Sequence, residues 1–178
     1  MAFKKCFPNL LFFLFIVLSL HAQEHLVRTD YANSFINFGI NELEIDGTIS
    51  GIDTYILIDD ENLEESVVQG SATVNTLTTG NMLRNKKLLG KKFFNEKDFP
   101  LITFESTDIQ KMQDNVYMVA GDLTIRDITN RIYIEMYFQI DRILGVSYFN
   151  TNDFDIVIKE KENYKVDFFL ELLHPGAE

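Results

Sequence analysis

The feature that most constrains this chain is a side-chain period of two that recurs in four separate stretches. Ile36, Phe38 and Ile40 alternate with Asn37, Gly39 and Asn41. Tyr117, Val119, Gly121, Leu123 and Ile125 share one face, and Ile132, Ile134, Met136, Phe138 and Ile140 share another. Tyr164, Val166, Phe168, Leu170 and Leu172 repeat the pattern near the C-terminus. Successive side chains of a strand point to opposite faces, so this alternation predicts a sheet with one dry face. Residues 44–50, 54–58, 67–74, 102–109 and 153–159 are further strand candidates, which brings the total to eight or nine. The Lys159–Asn163 stretch reads as a solvated hairpin tip. An antiparallel sheet of that size eliminates its edges by closing into a barrel. The expected fold is therefore all-β, an antiparallel barrel of eight strands or nearly so.

One segment departs from the pattern. Between Gly80 and Phe99 the apolar residues come in pairs, Met82-Leu83, Leu88-Leu89 and Phe93-Phe94. That spacing suits short helical turns over residues 80–98, divided near Gly90 and ended by Pro100.

Composition enters once the N-terminus is set aside. Lys4 and Lys5 precede an apolar run from Leu10 to Leu20, interrupted by Ser19, and Ala22 supplies a small residue at the cut. The run is shorter than the roughly 20 residues that span a bilayer as a helix. Residues 1–22 therefore read as a secretory signal cleaved after Ala22, which predicts a periplasmic or secreted protein with no later transmembrane span. The remaining domain, 23–178, carries 14 basic and 27 acidic residues and no cysteine. Disulfide scaffolds and cysteine zinc sites are excluded, and nucleic acid is disfavoured because phosphate contact needs concentrated positive charge. The acidity is uneven. No acid occurs between Ser66 and Asn95, a stretch holding Arg84, Lys86, Lys87, Lys91 and Lys92. The rest of the domain has nine basic against 27 acidic residues, a net of −18. A local basic cluster of this kind suits an anionic headgroup or a membrane surface, or simply a solvated helix face.

Catalytic material is scarce. His25 and His174 lie near the two ends of the domain without partners at metal-ligand spacing, and no H-E-x-x-H or G-x-S-x-G occurs. The acidic run Asp59-Asp60-Glu61 with Glu64 and Glu65 lacks the alternating ligands and glycine of a calcium loop. Asp153 and Asp155 would share a strand face, where solvent exposure is their ordinary state. We therefore expect no catalytic residue, metal or cofactor. An eight-stranded barrel is just wide enough to be filled by side chains or to hold one small ligand. Periodicity alone leaves both open.

Longer motifs go further. Phe93-Phe94-Asn95-Glu96-Lys97-Asp98-Phe99-Pro100-Leu101-Ile102-Thr103-Phe104-Glu105-Ser106 resembles the signature of the YceI-like proteins, a paired phenylalanine followed by [YF]-P-x-I-x-F-x-S. Gly121 to Thr129 is similar to that family's G-x-L-T-I-x-G-x-T segment, Ile45 to Ile52 to an earlier glycine-centred strand, and Asn75-Thr76 to the pair before its helix. The resemblance covers nearly the whole domain in order. It implies a lipocalin-like barrel of bacterial origin holding an amphiphile of polyisoprenoid type, with no established reaction. The chain departs at Asn85-Lys86-Lys87-Leu88, where D-x-H-L is common, at Asp127 and Thr54 in place of glycines, at Asn130-Arg131 in place of a Lys-Pro, and at Asn150–Asp155, which lacks the arginine and glycine of N-R-x-D-F-G.

The expectation is an exported, non-enzymatic lipid-binding protein. Phe38, Ile40, Ile102, Phe104, Leu123, Ile125, Ile134 and Phe138 would line the barrel, and Arg84, Lys87 and Lys91 would meet the headgroup. The partner expected is an amphiphilic lipid such as a polyisoprenoid, with a homodimer as an open alternative. The rival readings are a stress-response or interaction protein with a packed barrel and, third, an enzyme acting on a bound lipid.

Overall fold

A computed structural model describes residues 24–28, 33–158 and 163–173. The strands are β1 (Glu24–Arg28), β2 (Phe35–Ile40), β3 (Ile45–Ile49), β4 (Ile52–Asp59), β5 (Val67–Thr73), β6 (Leu101–Gln113), β7 (Val116–Ile125), β8 (Ile128–Phe138), β9 (Arg142–Asn150) and β10 (Lys165–Leu173). The one α-helix among the described residues is α1 (Met82–Leu88). The signal segment, the tip at 159–162 and His174 lie outside the described residues, as does the side chain of His25.

All ten strands form one antiparallel sheet in the order β1-β4-β5-β6-β7-β8-β9-β10-β2-β3. The last strand of that order and the second are consecutive in the chain, because β3 passes through Ser50-Gly51 directly into β4. The sheet therefore curls until its ends are joined by chain. Gly51 takes the corner with φ +65°, a left-handed conformation that costs glycine little. Thr76 holds the corner: its Oγ1 accepts from Ser50 N–H at 2.9 Å and lies 2.9 Å from Ser50 O. Thr48 and Thr78 exchange two backbone hydrogen bonds of 2.8 and 2.9 Å, so β3 is fastened to the segment leading to α1. The result is the expected antiparallel all-β barrel.

Its interior is built by the alternating residues. Ile56, Val119, Ile125, Ile143 and Leu172 are all but fully buried, with Ile132, Ile134, Met136 and Val166 close behind. Four expectations need correction. Ile140 continues the β8 alternation in sequence but lies past the strand end and is 99% exposed. Of the strand expected over 153–159, Lys159 lies outside the described residues and 153–158 form no strand. Thr151–Phe154 form a short 3₁₀ turn instead, in which the Asp153 carboxylate accepts from Asn150 N–H, so local capping chemistry wins over extension. Strand β9 escaped detection because its outer face of Leu144, Val146 and Tyr148 is as apolar as its inner face of Ile143, Gly145, Ser147 and Phe149, which erases the contrast the period depends on. The helical segment is also shorter than 80–98. The Asn81 side chain accepts from Arg84 N–H at 3.0 Å to start α1, and turns replace helix after Leu88.

Candidate functional site

Two voids lie inside the barrel, one above the other. The upper, about 290 Å³, is lined by Ile36, Phe38 and Ile40 of β2, Ile45 and Ile49 of β3, Ala72, Ile102, Leu123, Ile125, Phe149, Val166 and Phe168. Its roof is α1 with the turns that follow, contributing Arg84, Lys87, Leu88, Phe93 and Phe94. The lower void, about 80 Å³, meets it at Ile36, Ala72, Ile102, Leu123 and Phe168 and extends past Phe104, Ile134 and Leu170. A larger and more open groove of about 1010 Å³ crosses the outer faces of β8, β9, β10 and β2, with Asp46, Glu135 and Asp167 among its lining.

A bulky ring at each void, Phe38 at the upper and Phe104 at the lower, is laid against a strand that carries glycine. The Phe38 ring lies over Gly47, its cross-strand partner, so closely that a Cβ there would sit 2.2 Å from Phe38 Cζ. The Phe104 ring covers Gly121 in the same way, at 2.3 Å. Rings folded onto the wall leave the lumen empty, whereas rings pointing inward would fill it. Its surface is almost wholly apolar. Thr151, 1% exposed, is a polar exception, and its Oγ1 accepts from Tyr164 N–H at 3.1 Å. Such a surface attracts hydrocarbon.

Charge is confined to the roof. Arg84 is half-buried and Lys87 exposed, and both line the void. Lys87 Nζ sits 5.5 Å from the centre of the Phe93 ring, an arrangement that steadies a cation at an apolar opening. Of the residues expected at the site, Phe38, Ile40, Ile102, Leu123 and Ile125 line the upper void, and Phe104 and Ile134 the lower. Phe138 lies outside both voids, since it packs edge-on to Tyr117 deeper in the barrel, with ring centres 5.2 Å apart. Lys91 is exposed and likewise lines neither void. Phe149, Phe168 and Phe93 were not anticipated. Phe168 belongs to a face the alternation had marked, and Phe149 was hidden with β9.

The opposite end is closed. The Tyr117 hydroxyl, 3% exposed as a residue, donates to Asp60 Oδ1 at 2.5 Å, and Lys111 Nζ bonds Asp60 Oδ2 at 3.1 Å. Burial first, and then the hydrogen bond to Asp60, push the Tyr117 phenol far above its ordinary value. Asp59 Oδ1 accepts from Glu61 and Asn62 N–H at 2.9 and 3.0 Å, so the acidic run folds as a self-capped loop. Among the described residues no group of three or more His, Cys, Asp or Glu is placed to hold a metal ion, and no helix is long and apolar enough to cross a membrane.

Comparison with known proteins agrees with this geometry. The chain is 32% identical over 117 residues to a UPF0312 protein of Yersinia pestis, a match covering 64% of this chain and 60% of that one. The matched part thus spans about 60% of that relative's length. The fold is similar to the crystal structure of Burkholderia cenocepacia BcnA, with TM-score 0.68 and 18% identity over 80% of this chain and 98% of the other. It is also similar to a polyisoprenoid-binding domain from Saccharophagus degradans, with TM-score 0.59 and 14% identity over 85% and 100% of the two chains. A YceI-like domain matches residues 28–172, and with the barrel, the roof helix and the sequence motifs in register, the chain belongs to the YceI-like family.

Proposed function

We propose that this protein is an exported lipid carrier that holds an anionic amphiphile of polyisoprenoid type, chain in the barrel and headgroup at the roof, and catalyses no reaction. The observation that carries the reading is the apolar 290 Å³ void whose roof supplies both Arg84 and Lys87. The volume stands at the low end of ligand pockets. At about 30 Å³ for each water-sized group it takes roughly ten carbons, and each buried CH₂ contributes about 0.8 kcal/mol. A longer prenyl chain needs the lower void, or a shift of the rings around it. The likeness to a polyisoprenoid-binding domain supports the chain type. A packed-barrel interaction protein leaves such a void beneath a basic roof unexplained.

Native mass spectrometry of the purified protein, with organic extraction, tests the proposal. A co-purifying amphiphile, or a prenyl phosphate taken up from detergent at one per chain, is the expected result. The absence of both overturns it.

A further inference from the structure

Among the described residues seven cations form no ion pair: the five between Arg84 and Lys92, Lys97 just after them, and Arg126, whose guanidinium bonds Phe154 O at 3.0 Å. Lys111, Arg131, Arg142 and Lys165 each pair with a carboxylate, at 3.1, 3.7, 2.5 and 2.6 Å. Among the described residues, none of Arg84, Lys86, Lys87, Lys91 and Lys92 forms such a pair. Five cations stand without counter-ions in a domain whose remainder carries −18. Glu96 and Asp98 lie in the turns that follow, yet among the described residues no carboxylate pairs with any of the five.

The same short element exposes hydrocarbon. Met82 and Leu83, in the first turn of α1, are 84% and 80% exposed. An interfacial element is made of this combination, apolar side chains that enter the headgroup layer and lysines that meet anionic lipid. The −18 on the rest of the domain repels an anionic surface, so the molecule has one favoured orientation, with α1 toward the lipid.

We propose that α1 and the turns after it form a docking surface for anionic membranes, Met82 and Leu83 inserting while Lys86, Lys91 and Lys92 contact lipid phosphates. The occupant is a lipid surface rather than a protein groove partner, because the patch pairs exposed hydrocarbon with unpaired positive charge. Docking in this way turns the roof of the 290 Å³ void toward the bilayer. The inference stands independently of whether the void carries a lipid.

Sedimentation of the mature full-length chain with phosphatidylcholine vesicles, with and without about a third phosphatidylglycerol, tests it. Binding is expected to the anionic vesicles alone, weakening strongly at about 1 M salt, where screening acts over only about 3 Å. Lys86→Ser with Lys92→Ser should weaken it roughly twenty-five-fold, at about fivefold for each lysine near the surface. Met82→Ser with Leu83→Ser should reduce it as well, with an unchanged melting temperature because both side chains are exposed. Uptake of a monomeric decyl phosphate, read in parallel, should be the same in both double variants. No vesicle binding, equal binding to neutral vesicles, or binding untouched by either double variant overturns the proposal. Failure of decyl phosphate uptake with vesicle binding intact would instead count against the carrier function alone.

Discussion

The two ends of the barrel solve opposite problems. At the closed end polar groups find partners: Tyr117 bonds Asp60, Lys111 bonds Asp60 and Asp114, and the Tyr117 ring stacks edge-on with Phe138. At the roof, cations are left without carboxylates and hydrocarbon faces solvent on one side and a void on the other. We read the difference as a division between stability at one end and the proposed binding at the other. A satisfied network in a packed region holds the fold, whereas charge in contact with solvent beside a void adds little to it and is free to serve the proposed binding.

Substitutions can break that division. The largest effect belongs to the closed end. Tyr117→Ala removes a buried aromatic and the hydroxyl that donates to Asp60 Oδ1, and should cost about 3–5 kcal/mol of unfolding free energy by urea titration. The milder Tyr117→Phe keeps the ring and has a pH signature. Folding raises the phenol pKa, so its contribution is fully present below the unfolded value of about 10 and is lost as pH rises further. Wild type should therefore lose stability above pH about 10 more steeply than Tyr117→Phe does. An identical alkaline limb in both would remove Tyr117 from the account.

Next comes the void. Gly47→Ala places a methyl where the Phe38 ring lies, with all three nearest atoms belonging to that ring. The ring must swing off the wall into the lumen. Affinity for a ten-carbon alkyl phosphate should fall at least tenfold by calorimetry, at an overpacking cost of about 1–3 kcal/mol in stability. Pairing it with Phe38→Leu should restore binding, and failure of that rescue would separate affinity from ring position. The smallest effect on folding belongs to the roof. Arg84→Ser with Lys87→Ser should leave stability within about 0.5 kcal/mol, while affinity for the alkyl phosphate drops roughly tenfold, as expected for charge-assisted contacts of about 1.5–3 kcal/mol. Loss of stability at the roof, or of affinity from Tyr117→Phe, would dissolve the distinction between the ends.

Much of this was legible in the residues, and the exceptions share a cause. Strands β2, β7, β8 and β10 keep one apolar and one more polar face, so alternation reports them. Strand β9 is apolar on both faces, and β1 is only five residues long, so neither offers that contrast. The wall residues were recoverable because a strand's inward positions follow from its period. Whether the inside is full or empty was not, because that depends on cross-strand pairs such as Phe38 with Gly47, and pairing is a property of register. Lys91 and Phe138 show the same limit. Each has the right residue type in the right segment, but Lys91 falls beyond the Gly90 turn and Phe138 below the voids.

The glycines of the wall carry a consequence for diversity within such barrels. Because the bore is kept open by missing side chains opposite large rings, its capacity is a matter of single carbon atoms on the outer strand. A methyl gained at Gly47 shortens the compartment, and a ring trimmed at Phe38 or Phe104 lengthens it. Neither change touches polarity or the backbone ladder at the roof. One scaffold can thus be resized for guests of different length while its lid chemistry stays the same.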